Sequence, residues 1–130
     1  MAIVGHGVDI IEVERIEKML ADHPERFIER TFTEGETAFV NRRKKRQAEV
    51  YAGLFAAKEA VMKALGTGLR RGVAFKDIEV LHHASGEPYV VLHGRTAEVG
   101  RERGIARLWI SISHIESTTI ASAIGVDEAG

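Results

Sequence analysis

The 130 residues predict an α+β domain in which a mainly antiparallel sheet packs on one long buried helix. Three observations lead there. Segments of strand and helix character follow one another in the order β, several α, β-β, α, β-β, which suits antiparallel pairing better than repeated βαβ crossovers. Ala48 to Leu65 is dense in Ala, Leu, Met, Lys and Glu, and is apolar around much of its circumference. The last two segments, Arg107–His114 and Thr118–Val126, are strand-like and joined by a tight Glu116-Ser117 connection. No internal repeat or low-complexity linker divides the chain, so 1–130 is taken as a single domain.

Each element has a local cause. Ile3 to Ile11 is short and β-branched apart from Gly5 and Gly7, glycines that mark a bend or a close backbone approach. From Glu12 to about Leu20, Val13, Ile16, Met19 and Leu20 recur at helical spacing. Pro24 interrupts, and Arg26 to Arg30 adds a further turn or two of helix. Thr33-Glu34-Gly35-Glu36 fits a capping box, with Thr33 and Glu36 satisfying each other's backbone N–H groups, and predicts a helix running into Arg42–Arg46. Those five adjacent cations repel one another and must lie in solvent or near anions. In the long helix, Val50, Leu54, Ala57, Val61 and Leu65 form one stripe, and Gly66 stands where a left-handed cap belongs. Strand-like Ile78–His82 and Tyr89–Leu92 flank a turn at Ser85-Gly86-Glu87-Pro88, and a short helix from about Arg95 to Arg103 ends at Gly104.

Composition removes several kinds of function. Lys and Arg number 18 against 19 Asp and Glu, a net charge of −1, so a polyanion binder driven by overall positive charge is disfavoured, although local patches remain possible. The absence of cysteine rules out thiol catalysis, disulfides and cysteine-ligated zinc. No stretch approaches the roughly 18 apolar residues of a membrane span, and Met1 to Asp9 lacks the pattern of a signal peptide. An intracellular domain is the expectation.

The residues able to carry chemistry are few. Glu59 and Lys63, four apart, share a face of the long helix. Alone, that spacing describes an exposed ion pair, but small neighbours such as Ala56, Ala57 and Ala60 imply close packing, where a carboxylate needs a cation, a donor or a metal. Asp9 raises the same question inside an apolar strand, unless the strand ends there and Asp9 begins a turn. Two carboxylates from distant positions are a common way to hold Mg²⁺. Gly66-Thr67-Gly68, followed by Arg70-Arg71, can offer backbone N–H groups to phosphate, although it lacks the spacing of a P-loop. Along Trp109–His114, alternation puts Trp109, Ser111 and Ser113 on one face and Ile110, Ile112 and His114 on the other. That disfavours a Ser/His nucleophile pair. The six histidines show no zinc-ligand spacing.

Taken in order, these segments resemble the holo-[acyl-carrier-protein] synthases, the small bacterial 4′-phosphopantetheinyl transferases. The resemblance runs from Gly5-His6-Gly7-Val8-Asp9-Ile10 to Ile124. It is most specific at Phe55-Ala56-Ala57-Lys58-Glu59-Ala60 and Lys63-Ala64-Leu65-Gly66-Thr67-Gly68, with further agreement at Arg26-Phe27, Phe32-Thr33, Asp77-Ile78-Glu79, Gly86-Glu87-Pro88 and Ser111-Ile112-Ser113-His114. It implies the 4′-phosphopantetheinyl transferase-like fold and transfer of 4′-phosphopantetheine from coenzyme A to a serine of apo acyl carrier protein. Adenosine 3′,5′-bisphosphate is released, and the reaction serves fatty acid biosynthesis in the cytoplasm.

Carried over position by position, the resemblance implies that Asp9 and Glu59 hold Mg²⁺ and that Lys63 reaches the coenzyme A pyrophosphate. The serine proton goes to Glu59, a metal-bound water or bulk solvent. Gly66, Thr67, Gly68, Ser113 and His114 match positions lining the coenzyme A site, and Arg46 one that meets its 3′-phosphate. Arg15 matches a position facing the acidic carrier protein. The family's small members are homotrimers with interfacial active sites, and neither nucleic acid nor membrane is implied as a partner. The chain departs from the pattern at Leu54, where family members often have a basic residue; Arg42, Arg43 or Arg70 is left to supply that charge. Two other readings compete: a non-catalytic anion- or RNA-binding module using Arg42–Arg46, and an oligomeric scaffold without turnover.

Overall fold

The computed structural model describes residues 1–128. The elements are β1 (Ile3–Glu12), α1 (Val13–Asp22), α2 (Pro24–Thr31), α3 (Glu34–Asn41), α4 (Gln47–Leu65), β2 (Ile78–His82), β3 (Pro88–Leu92), α5 (Gly94–Glu102), β4 (Arg107–His114) and β5 (Thr118–Val126). Every strand pair is antiparallel, in two sheets: β1-β5-β4 and the hairpin β2-β3. The α+β expectation therefore holds, with the sheet split into a larger and a smaller part. One face of the larger sheet packs on α4, which α1, α3 and β2 also touch.

Two features hold α4 in place. The first is the glycines of β1. Asp9 pairs with Ala121 and Gly7 with Ala123, and both pairs lie on the sheet face turned to α4. A Cβ at Gly7 would collide with the carbonyl oxygen of Ala60, and one at Gly5 with that of Ala64. Strand and helix backbones thus touch with no side chain between them. The expected close approach is to the protein's own helix.

The second is a buried ion pair absent from the sequence reading. Lys58 and Glu36 are both 0% exposed, their Nζ and Oε1 2.8 Å apart. Lys58 also donates to the carbonyls of Phe75, at 3.0 Å, and Ile78. Glu36 completes the capping box with Thr33 and accepts from the N–H of Val80 at 2.8 Å. One carboxylate thereby joins α3, α4 and β2. Burial depresses the Lys58 pKa and the Glu36 carboxylate opposes that shift. Such a pair persists because every polar atom in it is satisfied.

One expectation fails. The helix begun by Thr33 does not run into the basic segment but stops at Asn41. Successive cations on a helix repel, and Arg46 adopts a left-handed conformation, φ 59°, that turns the chain into α4. Gly66 caps α4 at φ 76°, as predicted.

Gly7→Ala is expected to cost about 1–3 kcal/mol through forced separation of β1 from α4. The cost should appear as a lower urea midpoint with an unchanged slope. A wild-type midpoint would show that the contact is not tight.

Candidate active site

Because the Gly7 contact is so close, the next inward residue of β1 reaches the polar edge of α4. Lys63 Nζ donates to Asp9 Oδ1 at 3.1 Å and to the Val8 carbonyl at 2.9 Å. Half of the Lys63 side chain remains in solvent, whereas Asp9 is mostly covered. Asp9 Oδ2 is buried and has no hydrogen-bond partner. Glu59, one helical turn before Lys63, is half-buried. Its pKa is raised, first by burial and then by the charge of Asp9, against the opposing pull of Arg15 and Lys63. The Asp9, Glu59 and Lys63 predicted from sequence are therefore brought together.

The donor set suits a hard divalent cation. An orphaned carboxylate oxygen and a second carboxylate that its neighbour disfavours both gain when such an ion arrives. Among the described residues no group of three His, Cys, Asp or Glu converges. Two protein carboxylates would hold the ion, leaving its remaining positions for water or phosphate oxygens, the usual habit of Mg²⁺.

Glu59 also forms part of a cavity of about 550 Å³ between α1, α2 and α4. Met19, Phe27, Phe55 and Phe75 supply an apolar lining, and Arg15, Arg26 and Arg30 supply charge. Arg15 lies over the ring of Phe55, 5.7 Å from its centre.

The other predicted residues are dispersed. Gly66, Thr67 and Gly68 follow the C-terminal end of α4, with Arg70 donating to the Thr67 carbonyl at 3.4 Å. Arg46 and His114 line a cavity of about 410 Å³ at the opposite end, with Arg43 and Lys45. A 19-residue helix is about 28 Å long, so one chain does not gather these groups around a single ligand. Ser113 and His114, adjacent in β4, diverge as alternation predicts: Ser113 pairs with Ile120 on the outer sheet face, while His114 points to the cavity side. Of the basic run, Arg43, Lys45 and Arg46 line this cavity.

The outer face of the larger sheet mixes exposed apolar side chains with serines. His6, Ile124 and Trp109 lie in one cross-strand row, Val8, Ser122 and Ser111 in the next, and Ile10, Ile120 and Ser113 in a third. Ile10 is 65% exposed and Trp109 50%. No helix is long and apolar enough to cross a membrane among the described residues.

An α+β domain with a carboxylate pair, an adjacent lysine and separate basic cavities is suited to handling a phosphorylated substrate. Comparison with known proteins makes the class specific: residues 5–112 match the model of the 4′-phosphopantetheinyl transferase superfamily. A "Holo-[acyl-carrier-protein] synthase" of Caldanaerobacter subterraneus subsp. tengcongensis is 47% identical over 120 residues, 92% of each chain. The crystal structure of holo-[acyl-carrier-protein] synthase from Neisseria meningitidis superposes with a TM-score of 0.89 at 32% identity, covering 97% of this chain and 100% of that one. A Bacillus anthracis holo-(acyl-carrier-protein) synthase in complex with CoA (3′,5′-ADP) gives 0.80 at 38% identity, covering 97% and 98%. The chain belongs to the holo-[acyl-carrier-protein] synthase family, a family of transferases.

The raised Glu59 pKa has a sign that can be checked. The folded state holds the Glu59 proton more tightly than the unfolded state, so this group's contribution to stability is greatest at low pH and lost as pH rises through the folded-state value. Glu59→Gln is expected to raise Tm relative to wild type at pH 7–8, without added metal, with the gain vanishing near pH 4. Equal Tm differences at both pH values would contradict the shift.

Proposed function

We propose that this protein transfers 4′-phosphopantetheine from coenzyme A to a serine of apo acyl carrier protein, releasing adenosine 3′,5′-bisphosphate, and that Asp9 and Glu59 hold the Mg²⁺ it requires. The observation carrying this reading is the meeting of Asp9, Glu59 and Lys63 beside a cation-rimmed apolar cavity, in a chain of this family. The chain acts as a single transferase domain, and the reading carries with it a cytoplasmic location and a role in fatty acid biosynthesis.

The serine hydroxyl gives up its proton to Glu59 or to solvent as its oxygen bonds to the phosphorus bearing the pantetheine arm, and that phosphorus loses its bond to the bridging oxygen, which departs with adenosine 3′,5′-bisphosphate. Bound Mg²⁺ would supply charge neutralisation at the diphosphate. Lys63 is fixed at Val8 and Asp9 with its ammonium partly in solvent. It can therefore place a positive charge beside the leaving phosphate without reorganising. Arg15, Arg26 and Arg30 ring the cavity that reaches Glu59, so an acidic carrier protein is steered towards it. The pantetheine arm that the carrier protein receives suits a pocket lined by Met19 and Phe27.

The separation of Arg46 and His114 from Lys63 and Gly66–Gly68 supports an assembly in which one chain supplies the first group and a neighbour the second. The uncovered apolar sheet face around Val8, Ile10, Trp109 and Ile120 is where copies would meet. On this reading the protein is a homotrimer and its active sites are interfacial.

Incubation with apo acyl carrier protein, coenzyme A and Mg²⁺, followed by intact-mass measurement, should show the gain of one phosphopantetheine, blocked by EDTA; no gain would refute the reaction. Asp9→Asn and Glu59→Gln should each lower turnover by about 10²-fold or more. Mg²⁺ should raise the Tm of the wild type by a few degrees but not that of either variant; equal rises would remove the pair from the metal site. Ile10→Asp should convert the trimer to monomers by light scattering and abolish turnover. An active monomer would contradict the interfacial site.

A further inference from the structure

The segment between α4 and Phe75 has an unusual backbone. Gly66, Gly68, Arg71 and Gly72 all lie in the left-handed region, with φ of 76°, 57°, 63° and 83°. Glycine adopts that conformation freely, whereas the Cβ of an arginine crowds the following carbonyl oxygen there. A residue of this kind keeps a left-handed backbone when the surrounding structure imposes it. Within the segment, the Arg70 N–H donates to the Thr67 carbonyl and the Val73 N–H to the Arg70 carbonyl, both at 3.2 Å, and neither bond holds Arg71 itself.

The restraint on Arg71 comes from α5. Arg71 donates to Glu102 Oε1 at 2.7 Å, and Arg95 donates to both oxygens of the same carboxylate, at 2.9 and 3.4 Å. Arg95 Nε also donates to the Arg71 carbonyl at 3.3 Å. Its stem lies so close to Gly72 that a Cβ there would stand 2.8 Å from Cγ. Next to it, the buried Thr96 hydroxyl accepts from the Ala74 N–H at 3.1 Å. The side chain, the carbonyl and the following glycine of Arg71 are thus each held by α5. One exposed ion pair would contribute little, but here two guanidiniums share one carboxylate and continue into the backbone.

This arrangement commits the Arg71 charge within the protein. What the segment still offers an anion is backbone. Gly66–Gly68 follow directly on the turn that carries Lys63, whose carbonyl accepts the Gly66 N–H at 3.0 Å. Gly68 is open, with nothing within 4 Å of where its Cβ would lie. We propose that Glu102, acting with Arg95, is a positioning residue for coenzyme A: it holds Arg71 in the left-handed conformation and so presets the Gly66–Gly68 backbone beside Lys63. The proposal rests on the coenzyme A reading and adds to it two residues of α5 that touch no substrate. A segment already in its bound shape loses less entropy when its ligand arrives. Arg71 serves through its conformation, not its charge.

The test combines calorimetric binding of coenzyme A with Mg²⁺ present, transfer kinetics, and amide hydrogen exchange on the full chain. Glu102→Gln should weaken coenzyme A binding and raise its KM by about fivefold, leave kcat within about twofold, and speed exchange of the Arg70 and Val73 amides. Glu98→Gln removes only the i,i+3 pair with Arg95 and should leave all of these at wild-type values. Arg71→Gly supplies a residue that needs no restraint in the left-handed region. Added to Glu102→Gln, it should recover most of the lost affinity, which neither a charge role for Arg71 nor a general loosening of α5 would allow. Wild-type affinity and exchange in Glu102→Gln overturn the proposal, and so does a loss that Arg71→Gly fails to repair. Failure of the wild type to bind coenzyme A and transfer from it overturns the underlying reading instead, and the exchange rates then still decide whether Glu102 holds the segment.

Discussion

Backbone contact between β1 and α4 is the constraint on which the site depends. Gly5 and Gly7 let the strand lie against the carbonyls of Ala64 and Ala60 with no side chain between, and the next inward residue is then forced beside Glu59 and Lys63. The cost is electrostatic. Two carboxylates share a partly covered space, Lys63 satisfies one oxygen of Asp9, and the other is left without a partner. Full compensation within the chain would have closed the site. The residual charge suits a hard divalent cation.

The rest of the fold stiffens this junction and divides the labour around it. The Glu36–Lys58 pair ties α3, α4 and β2 together immediately next to Glu59, which anchors the helix that carries Glu59 and Lys63. One basic cavity lies at the start of α4 and the glycine loop at its end. The outer face of the β1-β5-β4 sheet stays exposed around Ile10 and Trp109.

Much of this was legible in the sequence because it is local. The capping box at Thr33 and Glu36, the Gly66 cap and the face alternation of Trp109 to His114 depend on spacings of one to four residues, and all appear in the structure. Asp9 and Glu59, fifty residues apart, were suspicious only as acids in apolar company; the family pattern joined them. The Glu36–Lys58 pair has no local signature for the same reason, since a lysine in a helix ordinarily reaches solvent and nothing nearby in sequence marks it as buried. The reach of α3 was overestimated because helix periodicity does not register repulsion among Arg42–Arg46.

Asp9 and Glu59 act on each other electrostatically. Carbon-13 NMR titration of the Glu59 carboxyl, in the wild type and in Asp9→Asn without metal, measures this directly. Glu59 should titrate above the ordinary glutamate range in the wild type and move back towards it when the Asp9 charge is removed. A Glu59 titration unaffected by Asp9→Asn would show that the two carboxylates do not share a site.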